Sequence, residues 1–166
     1  MKIVIIGSPG SGKTWLAKKL EVELHLQHIE GDELFWDKDK ELQLENFRLA
    51  VREQLAKSRW IYEGHTGKVF DILSLSSPFL IVIQEKTAVA FFRSLKKDFI
   101  ESIKGPYPRK NFSRMIHHLR HWTKMRKKRD EIIDKYNSNN PDKIIYWDGM
   151  STTIENLLVS LKKSDH

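Results

Sequence analysis

The chain has no cysteine, which excludes disulfides and thiolate chemistry. It also lacks a long hydrophobic run. The most continuous one, Phe79 to Ile83, falls far short of the ~20 residues of a membrane span. The opening Met1-Lys2-Ile3-Val4-Ile5-Ile6-Gly7 is too brief in its apolar part to serve as a signal peptide. These absences lead to the expectation of a soluble, cytoplasmic protein with no membrane partner. Repeats, low-complexity tracts and dividing linkers are missing as well, so the 166 residues are expected to form a single domain, 1–166. One further absence is local: between Ser102 and Arg129 there is no Asp or Glu, while Lys and Arg occur ten times. The net charge of +7 therefore belongs to that segment, and the rest of the chain is slightly acidic. A one-sign block is usually a solvated face, but one this pure points to an anionic partner.

What the chain does contain is Gly7-Ser8-Pro9-Gly10-Ser11-Gly12-Lys13-Thr14, the pattern G-x-x-x-x-G-K-[ST]. It follows the apolar run Ile3 to Ile6 and leads into Leu16, Ala17, Leu20 and Leu24 at helical spacing, the context a P-loop requires. Glycines permit torsions and close approaches that a Cβ would block, so successive N–H groups can face a phosphate. The helix start adds unpaired N–H groups and the positive end of its dipole. Lys13 is placed to reach the β- and γ-phosphates, and the Thr14 hydroxyl to ligate Mg²⁺. ATP and Mg²⁺ are thus the expected cofactors.

Further along, Leu26 to Glu30, Trp60 to Tyr62, Phe79 to Ile83 and Lys143 to Trp147 read as strands. Helices are expected over 42–57, 67–75, 87–104, about 112–136, and from Thr152 onward, where Thr152 and Glu155 make a capping box. Asn137 to Pro141 reads as a turn. The alternation of strands and helices predicts a three-layer α/β/α domain with a mainly parallel sheet. Ligands in such sheets bind beyond the carboxyl ends of the strands. The P-loop, Asp32, Glu63 and Asp148-Gly149 all fall at such ends.

With these pieces in place, the chain resembles the adenylate-kinase-like P-loop kinases, and among them the topology modulation proteins. The resemblance runs through Ile5 to Thr14, Asp32-Glu33-Leu34-Phe35-Trp36, Trp60-Ile61-Tyr62-Glu63-Gly64 and Asp148-Gly149. It implies a P-loop NTPase domain with five parallel strands in the order 2-3-1-4-5 and a helical lid over about 104–129. It also implies that Asp32 faces the phosphoryl acceptor, that Glu63 holds Mg²⁺ through water, and that Gly149 lets backbone approach the adenine. Three positions depart from the family pattern. Glu63 stands where relatives carry Asp, Trp15 where many carry a second hydroxyl residue, and Gln84-Glu85 where the fourth strand often ends in Leu-Asp. Trp15 is grouped with the nucleotide-binding residues.

Arg93 and Arg109 are the candidates for neutralising the transferring group, alongside Lys13 and Asp32 as catalytic residues. The hinge of the lid would be Gly105 to Pro108, with Arg109, Arg114 and Arg120 turned inward and Arg126 to Arg129 left in solvent. His117 and His121 have i, i+4 spacing suited to zinc, but the surrounding cations oppose a metal there. Trp36, Trp60, Trp122 and Trp147 are expected in the core or lining a pocket. The expected activity is transfer of the γ-phosphoryl group of Mg-ATP to a small acceptor, nucleotide or other metabolite. The alternatives are an ATP-regulated nucleic-acid-binding protein using Ser102 to Arg129, and a nucleotide-binding protein without turnover.

Overall fold

The computed structural model describes residues 1–37, 40–41, 43–84, 92–93, 95–96, 100, 108–149 and 152–164. For 36–37, 40–41, 108–122 and 164 it describes the backbone alone. The main sheet has five strands: β1 (Lys2–Ile6), β2 (Gln27–Glu30), β3 (Trp60–Glu63), β4 (Phe79–Ile83) and β5 (Ile144–Trp147). All pair in parallel, in the spatial order β2-β3-β1-β4-β5. That is the 2-3-1-4-5 order that the resemblance to the adenylate-kinase-like kinases implied.

Parallel neighbours need crossovers, and helices supply them. They are α1 (Lys13–Leu24), α2 (Gly31–Phe35), α3 (Leu44–Leu55), α4 (Thr66–Ser74), α5 (Pro108–Asn139) and α6 (Ile154–Ser164). The central strands β1 and β4 are apolar almost throughout because both faces are covered, whereas the edge strand β2, Gln27-His28-Ile29-Glu30, is mostly polar. On one face Val4, Ile6, Tyr62, Leu80 and Val82 pack with Phe47 and Val51 of α3, Leu73 of α4, and Ile133 and Tyr136 of α5. On the other, Ile3, Ile5, Ile61 and Ile81 pack with Leu16 and Leu20 of α1 and Leu157 and Leu161 of α6. Each such side chain contributes on the order of 1.5–3 kcal/mol on full burial. β1 lies at the centre, with β3 on one side and β4 on the other, so the loop after β1 opens at the topological switch point.

Three local expectations are corrected. Asn137 to Asn139 continue α5 instead of turning. There Ser138 and Asn139 donate from their side chains to the carbonyls of Asp134 and Lys135, one turn back, which reconciles turn-prone residues with a helix. Pro141 then opens a short 3₁₀ segment to Lys143. The start of α5 falls at Pro108, whose missing N–H costs nothing in a first turn. At α6 the cap is Thr153, not Thr152: its Oγ1 accepts from the Asn156 N–H at 3.3 Å, while the Thr152 N–H donates to Asp148 Oδ1. Trp36–Asp37 and Lys40–Glu41 form a two-stranded antiparallel ribbon beside the polar turn. Most of the helix expected over 87–104, residues 105–107 of the hinge and Glu85 lie outside the described residues, as do the side chains of Trp36, Arg109, Arg114, His117, Arg120, His121 and Trp122. Among the described residues, no helix is long and apolar enough to cross a membrane.

Candidate active site

The loop from Gly7 to Gly12 closes on itself because two of its residues take positive φ, 77° at Gly10 and 91° at Gly12. Those torsions favour glycine. At Gly7 the requirement is space: an added Cβ would stand 2.4 Å from Ser11 Oγ and 3.2 Å from Ile83 Cβ. The Ser11 N–H donates to the Ser8 carbonyl at 3.1 Å, and Lys13 Nζ curls back to donate to the same oxygen at 3.0 Å. Ser11 Oγ is buried without a hydrogen-bond partner among the described residues. A cradle that only glycine leaves open, holding an unsatisfied hydroxyl and an ammonium group, fits a phosphate chain.

Thr14, in the first turn of α1, donates its hydroxyl to Glu63 Oε1 at 2.9 Å. Glu63 closes β3 and is only 2% exposed, so it is no solvated strand-end carboxylate. Hydroxyl and carboxylate together suit a hard cation such as Mg²⁺. Glu30, the residue in register with Glu63 on β2, lies beside it. Burial, and then the negative charges of Glu63 and Glu33, push the Glu30 carboxyl above its usual range. His28 Nε2 stands 3.8 Å from Glu63 Oε1.

Asp32 occupies the first turn of the short α2, directly after β2. It sits over the Gly64 backbone, where a Cβ would come 2.7 Å from Asp32 Oδ1; Gly64 itself has φ 82°. The next residue, His65, also takes a positive φ, 43°, and this brings its Nδ1 to 2.5 Å from Asp32 Oδ1. The imidazole is stacked on Phe35 at 4.1 Å between centroids and meets the edge of Phe47. Lys68 Nζ lies 3.8 Å from the Phe35 centroid on the same wall. Below them, the Tyr62 hydroxyl is buried without a hydrogen-bond partner among the described residues, and burial raises its pKa strongly.

From α5, Arg129 donates to Ser8 Oγ at 3.1 Å and also binds Asp130. The expectation that Arg126 to Arg129 all stay in solvent is therefore corrected at Arg129. Lys128 stays exposed, its stem passing Gly67, where a Cβ would lie 3.2 Å from Lys128 Cε. On the opposite side of the loop, Trp15 is 52% exposed and stacks on Trp147 at 6.3 Å and 22°. Gly149, φ 70°, lies against the same indole, with Trp147 Cη2 3.0 Å from where a Cβ would be. Arg93 is exposed on helical backbone.

The structure thus places the P-loop, Thr14, Glu63, Asp32, Trp15 and Gly149 at or just beyond the carboxyl ends of the strands. His65, Arg129 and the pair His28 and Glu30 were not anticipated. His65 follows directly on Glu63-Gly64, so the strand end was its signal. The contact of Arg129 with Ser8 spans 121 positions and has no local signature.

No protein-family profile matches the chain, and no curated protein matches it by sequence. Solved structures do match. A gluconokinase from Sinorhizobium meliloti aligns with a TM-score of 0.56 over 98% of this chain and 92% of its own, at 16% identity. A shikimate kinase from Aquifex aeolicus aligns with a TM-score of 0.55 over 99% and 98%, also at 16% identity. These likenesses show the fold. Both structures are of kinases, and this chain shares their α/β architecture from end to end.

Proposed function

We propose that the chain is an ATP-dependent small-molecule kinase, one domain that moves the γ-phosphoryl group of Mg-ATP to a small acceptor. The observation that carries this reading is the 2.9 Å hydrogen bond from the P-loop hydroxyl of Thr14 to the buried Glu63. It joins a phosphate cradle to a magnesium-suited carboxylate, and a loop that only held a phosphate would not need the second. The fold shared with gluconokinase and shikimate kinase supports the same class.

In this reading Gly7 to Thr14 hold the triphosphate, and Lys13 turns from the Ser8 carbonyl to the phosphate oxygens. Thr14 and Glu63 hold Mg²⁺, which supplies neutralisation of the phosphate charge. Arg129, already on Ser8, adds a planar cation at the loop. Asp32, oriented by His65, accepts the proton of the acceptor hydroxyl, and the wall of Phe35, His65 and Lys68 borders the acceptor. Trp15 and Gly149, both beside Trp147, border the adenine. Arg93 and Arg109 neutralise the transferring group when the 104–129 region closes. Catalysis is positioning and charge neutralisation, with no covalent intermediate on the protein. A cytoplasmic location and kinship with the topology modulation proteins complete the proposal.

The test is a panel of nucleoside monophosphates, nucleosides, sugars and hydroxy acids assayed for ADP formation from Mg-ATP, with Lys13→Ala as the blank. Acceptor-dependent ADP release above that blank supports the kinase. ATP binding without release for any acceptor supports the reading without turnover.

A further inference from the structure

We propose that His28, Glu30 and Glu63 form a binding site for one divalent transition-metal ion, of the Zn²⁺ and Mn²⁺ class, on the α1 face of the sheet. Each side chain offers a ligand atom, and the three atoms all lie within 4.8 Å of one another. Bonds of about 2.0–2.2 Å to one ion put neighbouring ligands roughly 3.4 Å apart, so small side-chain rotations gather the set. The strand pattern explains why they meet. Glu30 and Glu63 are register partners on adjacent strands, and His28 is two residues before Glu30, hence on the same face.

An independent sign that the cluster awaits a ligand is the imidazole itself. The His28 side chain is only 8% exposed, and its Nε2 has no hydrogen-bond partner among the described residues. The 3.8 Å to Glu63 Oε1 is too long for a hydrogen bond but short enough for one ion to bridge. A buried polar atom left in this way is costly, and an ion removes the cost. Two carboxylates neutralise a divalent charge in a site with little water. The nitrogen decides the class, because Mg²⁺ prefers oxygen ligands and keeps its waters, whereas imidazole with carboxylates suits Zn²⁺, Mn²⁺ or Co²⁺. Glu63 is shared with Thr14, so an ion here draws on the carboxylate that the P-loop hydroxyl also uses.

The inference stands without the kinase reading, because it is tested without nucleotide. The metal-free full chain is titrated with Co²⁺ and followed by its visible absorption, then challenged with Zn²⁺ and with excess Mg²⁺. One equivalent of Co²⁺ is expected, displaced by Zn²⁺ and not by Mg²⁺. His28→Gln and Glu30→Gln should each weaken binding by at least about tenfold. Zn²⁺ should also raise the melting temperature of the wild type, and raise that of either variant less at the same concentration. Replacing His117, His118 and His121 by Gln should change nothing. Should His28→Gln fail to fold, Glu30→Gln decides. Absence of saturable Co²⁺ binding, displacement by Mg²⁺, full binding in Glu30→Gln, or binding lost with His117, His118 and His121 would each overturn the proposal.

Discussion

Thr14 and Glu63 are 49 residues apart in sequence and share a hydrogen bond of 2.9 Å. The bond ties the first turn of α1 to the end of β3. It also keeps a buried carboxylate partnered, and an unpartnered buried charge would be strongly destabilising. The replacement Glu63→Gln keeps an acceptor oxygen for Thr14 while removing the charge. The melting temperature should therefore stay close to that of the wild type. The Mg²⁺ concentration for half-maximal turnover should rise roughly 10- to 100-fold, the range seen when partners of a metal site are lost. A magnesium titration of activity beside a thermal melt separates the two effects.

Lys13→Ala should fold normally, since the bond it gives up to the Ser8 carbonyl is part-buried and lies in the loop, outside the core. ATP affinity should fall roughly tenfold to a hundredfold, the equivalent of about 1.5–3 kcal/mol for a hydrogen bond to a charged group. Transfer should disappear. Isothermal titration with Mg-ATP reads the affinity, and an unchanged value would falsify the phosphate cradle.

Asp32→Asn should lower turnover about 10²- to 10⁴-fold, as loss of a general base does, with ATP affinity nearly unchanged. His65→Asn keeps a residue that tolerates the left-handed backbone but removes the imidazole on Asp32. Its turnover should fall less, because it acts through Asp32. If both variants lose ATP affinity instead, Asp32 belongs to the nucleotide side.

Arg129→Ala should weaken ATP binding, because the guanidinium contacts Ser8 within the loop. Arg109→Ala should depress turnover and spare ATP affinity. Labelled DNA or RNA should bind only weakly at 150 mM salt. A protein using about six phosphate contacts would instead bind tightly at low salt and lose roughly a thousandfold between 50 and 200 mM. Anisotropy across a salt series distinguishes the two.

The Arg48 guanidinium holds the Asp71 carboxyl below its ordinary value of 3.8. A depressed carboxyl stabilises the fold at pH above its unfolded pKa, and that contribution is lost as pH falls through the folded value. The wild type should therefore melt slightly higher than Asp71→Asn at neutral pH, with the gap closing below the ordinary value. A gap that persists in strong acid means that the two side chains are held together by something other than charge.

The strands and the P-loop were legible because each rests on local pattern, apolar runs, glycine spacing and helix periodicity, whereas the order of the strands came from the resemblance to the adenylate-kinase-like kinases. Asp32 and Glu63 were legible because strand ends converge in a parallel sheet. What could not be read depends on orientation. The stacking of His65 on Phe35 follows from a positive φ at a residue that is not glycine. Trp147 is both core and a platform for Trp15, since one face of a large ring can be buried while the other supports a half-exposed neighbour. The expected turn at Asn137 failed because Ser138 and Asn139 bond backwards along the helix.

Helix α5 is unbroken from Pro108 to Asn139, and it is fastened to the body near its far end by Ile133 and by the Tyr136 hydroxyl on the Pro78 carbonyl. At 1.5 Å per residue, Arg109 and Arg129 stand about 30 Å apart along the axis. A straight rod of that length cannot lay both arginines on the same phosphate chain. The helix thus works as a ruler that sorts its cations by position: Arg129 is at the loop from the outset, and Arg109 arrives only if the rod bends between them.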